Sequence, residues 1–240
     1  MAPTIKTSGI VLSCVKYGEG SVIVNILTEA VGRQGYLVKV TGQSRRSLLP
    51  LMQPLTIVDL EAYQNSHQTV QKIKEVHISH PLINIPFDPV RRAIAMFMTE
   101  LIVKSIRSDE PDNRVYEFVR FAVETLDGGL PGMYNFHIYF MLKLSRFLGF
   151  EPDMGLVGSP VFDMMEGQYQ QTLPLHKHVL TGEDLQLWSR MAELDIDTLE
   201  QVPFSQGERQ RLLTLLEQYY TLHIPGFGGL NSTAVLHQLF

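Results

Sequence analysis

From residue 4 to about residue 80, apolar positions recur at every second residue or in short β-branched runs, the period of strands. Ile10, Leu12 and Cys14 alternate with Val11, Ser13 and Val15. A second run covers residues 22–27, after the turn Tyr17-Gly-Glu-Gly20. Further runs fall at residues 36–40, 55–62 and 70–78, the last two joined by the polar tip Gln64-Asn-Ser-His-Gln68. Five such runs split by glycine or polar turns predict a small closed barrel. A five-stranded barrel of the oligonucleotide/oligosaccharide-binding (OB) type has that strand count; an SH3-like barrel fits the same pattern.

Near residue 80 the period changes. Pro81, Pro86 and Pro89 mark a linker, and Asp88-Pro89 supplies an N-cap followed by proline at the first helical position. Residues 90–108 carry Ile94, Phe97, Met98, Leu101 and Ile102 on one apolar face, and Asp112 opens a second helical stretch that ends at Gly128-Gly129. A third runs over residues 133–148 and stops at Gly149. Residues 150–180 form a long insertion whose segment 161–169 reads as a short hairpin. Two capping boxes follow, Thr181-Gly-Glu-Asp184 and Ser205-Gln-Gly-Glu208, and a last short helix starts near Ser232. The predicted class is α+β: a barrel domain over residues 1–80, then an all-α domain over 81–240 with a small hairpin insertion.

Charge divides the chain in the same place. The net charge of -5 conceals eight Lys/Arg against five acids in residues 1–80, and twelve against twenty in the remainder. Within residues 30–58 there is no acid at all, while Arg33, Lys39, Arg45 and Arg46 all lie there. A positive island on the loops of a small sheet is suited to phosphate. Lys16 and the strand-region aromatics Tyr17, Tyr36 and Tyr63 add to it, since aromatics interleaved with cations hold single strands without sequence preference. The alternative is a solvated hairpin carrying a few cations.

Enzymatic motifs are missing: no phosphate loop, no dinucleotide fingerprint and no His-Glu-x-x-His pair. The single cysteine, Cys14, excludes an internal disulfide and a cysteine-based zinc site, and its apolar strand context predicts a buried, inert thiol. Asp153, His176 and His178 are the nearest approach to a metal cluster, but they lack further ligands and read as loop residues, so no cofactor or metal is expected. The N-terminus has no signal-peptide pattern and no apolar stretch is long enough to span a membrane, which points to the cytoplasm.

Several short motifs taken together resemble the bacterial RecO family of recombination mediators. They are Thr7-Ser-Gly-Ile-Val-Leu12, Tyr17-Gly-Glu19, Leu27-Thr-Glu29 with Gly32-Arg33, and Gly42 with Arg45-Arg46-Ser47. Leu148-Gly-Phe-Glu-Pro152, Arg211-Leu-Leu213 with Tyr219, and Leu230-Asn-Ser232 with Val235-Leu236 extend the likeness to the end of the chain. The resemblance implies an OB-fold followed by a helical domain and a non-enzymatic role at the bacterial nucleoid. That role is binding single- and double-stranded DNA, annealing complementary strands and, with RecR, helping RecA replace single-strand-binding protein (SSB). Some members of the family carry a four-cysteine zinc module after the Leu-Gly-Phe motif; residues 154–163 here hold no cysteine, so the metal is not implied. The family's SSB partner ends in a short acidic tail with a terminal apolar residue. Arg91, Arg92, Lys143 and Arg146, with Leu142 beside Lys143, are the candidate docking residues. A protein- or RNA-binding adaptor built on the same barrel is the competing reading.

Overall fold

The computed structural model describes residues 3–40, 51, 53–65, 67–106, 111–153, 155 and 158–239. It contains two compact units, residues 1–128 and 129–240. The first begins with β1 (Thr4–Lys16), β2 (Ser21–Thr28), β3 (Gly32–Lys39), β4 (Ile57–Tyr63) and β5 (Val70–His80). These close into a barrel of order β1-β2-β3-β5-β4. β1 runs antiparallel to both β2 and β4, and β3 meets β5 in parallel through Gly35, Tyr36 and Leu37. This is the OB arrangement, so the SH3-like alternative is set aside.

The barrel interior is filled by Val11, Val24, Ile26, Tyr36, Val38, Val58, Leu60 and Ala62. Gly9 allows β1 to cross this core closely, because a Cβ there would stand 2.5 Å from Ile26 Cγ2. Ile10 and Leu12 are as fully buried as Val11. A bulge between Val11 and Ser13 breaks the simple alternation of β1, and helix α1 (Pro89–Ser105) packs against this strand.

Cys14 is a correction: its residue is exposed, not buried. β1 pairs with β4 only as far as Ile10, so Ser13–Lys16 has β2 alone as a neighbour and projects past the closed part of the barrel. Apolar alternation there records pairing without enclosure.

The prolines at 81, 86 and 89 lie in a strap that the next helices hold. Asp127, near the end of α2 (Asn113–Gly128), is 4% exposed. Its carboxylate accepts from the backbone N–H groups of Ile83, Asn84 and Ile85 at 2.8, 2.9 and 2.8 Å. Asp88 caps α1 as expected, accepting from Val90 and Arg91 N–H, and Asp112 accepts from Arg114 N–H at the start of α2.

The second unit is organised around α3 (Phe136–Phe147), which is buried along most of its length. A three-stranded sheet of order β7-β6-β8 comprises β6 (Val161–Asp163), β7 (Gln168–Gln170) and β8 (Val179–Leu180). The expected hairpin is therefore present, with a third strand added. Helices α4 (Gly182–Arg190), α5 (Gln206–His223) and α6 (Thr233–Leu239) complete the unit. Its core is aromatic: Phe162, Tyr169, Trp188 and Tyr219 pack ring to ring at 5.1–5.5 Å, and Tyr220 donates to the Met141 carbonyl. The capping box at Ser205 and Glu208 forms with both of its hydrogen bonds. The one expected at Thr181 does not, because Asp184 turns its carboxylate to a two-pronged pairing with Arg211.

Candidate nucleic-acid interface

Residue alternation places the cations of the barrel. On β3, Tyr36 and Val38 point into the core, so Arg33, Gly35, Leu37 and Lys39 stand on the outer face. Lys72 lies opposite Leu37 on β5 and is also exposed. Lys39 and Lys72 thus share one outer surface. Lys16 ends β1 opposite Val22, at the end of the barrel where Lys39 faces Ser21, but on the other face of the sheet. Gly18 and Gly20, both at positive φ, make the tight turn between β1 and β2. Tyr17 in that turn is 58% exposed. Among the described residues none of Lys16, Lys39 and Lys72 makes an ion pair, and Glu19 is the one acid in the turn.

Three further acids of the barrel lie on its last two strands. Asp59, Glu61 and Glu75 lie on β4 and β5; Glu61 pairs with Lys74 at 2.8 Å, and Asp59 faces His77. Lys16 and Lys39 stand at the end of the barrel that carries the β1–β2 turn, whereas Lys72 shares β5 with Glu75 and with Lys74, the partner of Glu61.

Two of the expected DNA contacts are placed otherwise. Tyr36 is fully buried and cannot offer its ring to a base; burial pushes its hydroxyl up to about 12. Arg33 turns its guanidinium onto the carbonyl of Val103, near the C-terminal end of α1, and is partly buried. Arg45 and Arg46 lie outside the described residues. Lys72 carries no local signal in the sequence, since only the non-local parallel step from β3 to β5 brings it beside β3.

The candidate partner residues fall in both units. In α1, Arg92 is exposed while Arg91 reaches back toward Asp88 at 3.6 Å. In α3, Lys143 lies 5.9 Å from the Tyr139 ring centroid, and Arg146 is exposed beside Glu151 at 3.7 Å. Leu142, expected to add an apolar contact there, is only 5% exposed. Asp153 accepts from Gly155 N–H, while His176 pairs with Asp163 at 3.2 Å. Among the described residues no three His, Cys, Asp or Glu side chains converge as metal ligands do.

The profile described as Recombination protein O N terminal matches residues 1–82, and Recombination protein O C terminal matches 86–233. The chain belongs to the RecO family. A DNA repair protein RecO of Bacteroides fragilis is 32% identical over 238 residues, covering 98% of each chain. That of Flavobacterium psychrophilum is 33% identical over 239 residues, 98% of this chain and 99% of the relative. A Porphyromonas gingivalis counterpart is 31% identical over 245 residues, with the same coverage. As a RecO-family chain it has the barrel at the end where the N-terminal profile lies, and among the described residues no helix is long and apolar enough to cross a membrane.

Proposed function

We propose that this chain is a recombination mediator that binds single- and double-stranded DNA, anneals complementary strands and acts with RecR to help RecA displace SSB. The supporting observation is the pair Lys39 and Lys72, exposed and without ion pairs among the described residues, on the outer face of an OB barrel where β3 meets β5. Lys16 stands at the same end of the barrel, and Arg45 and Arg46 follow Lys39 in the acid-free stretch of the sequence, outside the described residues. Phosphate attraction of this kind is independent of sequence, which annealing of arbitrary strands requires. The reading has the protein acting at the bacterial nucleoid, in the cytoplasm.

The acidic tail of SSB is assigned to the helical part, with Lys143 and Arg146 on one face of α3 as its cations and Arg91 and Arg92 as the other candidates. The decisive experiment follows binding of labelled oligonucleotides by anisotropy across a salt series, then strand annealing with and without SSB. No salt-dependent DNA binding by the folded protein would remove this reading and favour the adaptor alternative.

A further inference from the structure

In the second unit β8 is an edge strand, with β6 beside it and no strand beyond it among the described residues. Met164 N–H donates to the His178 carbonyl at 3.0 Å, and Phe162 stands opposite Leu180. The main-chain groups of residues 178 and 180 therefore face β6. Those of Val179 face away, because hydrogen-bonding direction alternates along a strand. Among the described residues neither the N–H nor the C=O of Val179 takes a hydrogen bond. The edge opens on a furrow of about 630 Å³ whose other wall is the outer face of α5, with Arg211, Thr214, Gln218 and Thr221. From Arg211 to Thr221 that wall is about 15 Å long at the helical rise, room for roughly four or five residues of extended chain. Charge is uneven along it. Asp184 holds the guanidinium at the Arg211 end in the two-pronged pair. Met164, bonded to His178 and also to His223 at the C-terminal end of α5, sets Lys177 at the opposite end. Lys177 is exposed and makes no ion pair among the described residues.

An open strand edge with an unused donor and acceptor is a template for another strand. We infer that β8 takes up an extended segment of another protein as a fourth strand of this sheet. That segment is uncharged over most of its length and carries one carboxylate, which Lys177 receives. It runs antiparallel to β8, so that one of its residues exchanges both main-chain hydrogen bonds with Val179 and its C-terminal end lies over Lys177. Its side chains alternate between solvent and the α5 wall, where Thr214, Gln218 and Thr221 are neutral. The occupant is a lone strand and not a folded second copy of this chain, because α5 stands along the far side of the furrow. Among the described lining residues the acid besides Asp184 is Glu217. It disfavours a run of carboxylates, which sets this segment apart from the acidic tail assigned to α3. The site lies wholly in the second unit and does not rest on the DNA-binding reading.

The probe is the peptide Thr-Val-Thr-Val-Asp, labelled with fluorescein at its N-terminus and amidated at its C-terminus, followed by anisotropy. Two companions carry Asn in place of Asp, or N-methylated valines that lack the N–H. Proteins are the full chain, Val179→Pro, Gln218→Trp and Lys177→Ala. Proline at 179 removes the outward N–H and no ladder bond. Tryptophan at 218 fills the furrow from an exposed position of α5. The expected result is saturable binding by the full chain. Val179→Pro, Gln218→Trp and N-methylation each weaken it about tenfold, the worth of a main-chain hydrogen bond lost or blocked. Lys177→Ala weakens the Asp peptide about threefold and leaves the Asn peptide as it was, as an exposed ion pair predicts. Gln218→Trp carries the test where Val179→Pro does not fold, which circular dichroism reads. No binding of the Asp peptide at millimolar concentration, or equal affinity in the folded variants at 179 and 218, overturns the site. Equal loss of the Asp and Asn peptides in Lys177→Ala overturns the carboxylate as the partner's mark.

Discussion

The guanidinium of Arg33 donates from Nη1 to the main-chain carbonyl of Val103, one of the last four carbonyls of α1. Those carbonyls have no partner within the helix, and they form the negative end of its dipole. A cation that the sequence places in the positive island thus ties the barrel to its first helix. Replacing Arg33 by alanine should lower stability by about 1.5–3 kcal/mol, the range for a hydrogen bond to a charged group. The slope of DNA affinity against salt should stay as it was. Thermal melts and salt-series anisotropy on one preparation separate the two effects; a flatter slope with an unmoved melting temperature would return Arg33 to the phosphate-contacting set.

The lysines behave in the opposite way. Lys39→Ala with Lys72→Ala removes two exposed charges that carry no ion pair among the described residues, so folding should be little affected. Single-strand affinity should fall uniformly across sequences, and the slope of log K against log[salt] should drop by ~0.7 for each lost contact. Arg45→Ala with Arg46→Ala gives the parallel measurement for the stretch outside the described residues. If only that second pair changes the slope, the phosphate track lies along residues 41–50 and not on β3 and β5.

Legibility in the sequence followed the range of the interactions. The five strands, the proline-marked strap, the caps at Asp88 and Asp112 and the box at Ser205 are local patterns, and each has its expected counterpart. Tyr36 and Cys14 were misplaced because strand period gives alternation but not which face is enclosed. Tyr36 points into the core, and Cys14 lies on the part of β1 that β4 does not reach. Asp184 was misplaced because a partner 27 residues away, Arg211, takes the carboxylate that the local motif needs. Lys72 has no local signature at all; its place beside β3 depends on the parallel step from β3 to β5.

Two buried groups make the units differ in their response to acid. Burial raises the pKa of Asp127, but the backbone hydrogen bonds from Ile83, Ile85 and Asn84 outweigh it and hold the carboxyl below its ordinary value of 3.8. Its contribution is complete above the unfolded value and is lost as pH falls through the lower folded one. His137, in α3, is pushed down to about 3 by burial, with Arg209 and His237 adding to the effect. The unfolded chain takes up that proton near 6.5 and the folded chain does not, so stability of the second unit falls as pH drops from about 6.5 toward 3, by up to one proton's worth of slope. His137→Phe should flatten the dependence between pH 6.5 and 4, whereas Asp127→Asn should cost ~1–3 kcal/mol at neutral pH. Denaturant titrations at stepped pH read both. An unchanged slope in the His137 variant would mean that another group takes up the proton.

Cys14 offers a direct test of where a bound strand runs. It is the chain's one cysteine, so a thiol reagent labels a single position. It is exposed, two residues before Lys16 on the same strand, and so on the same face. Partial burial raises its thiol above the usual value, so labelling is best followed at pH 8.5, where the reactive thiolate is more abundant. If DNA wraps the tip of the β1–β2 turn to reach Lys16 as well as Lys39, saturating single strand should slow maleimide labelling several-fold, and high salt should restore the rate. Lys16→Ala should weaken that protection more than Lys72→Ala, because Lys72 stands on the opposite face. Should anisotropy report full binding while Cys14 labels at its free rate, the strand stays on the outer face with Lys39 and Lys72, and Lys16 is no part of the interface.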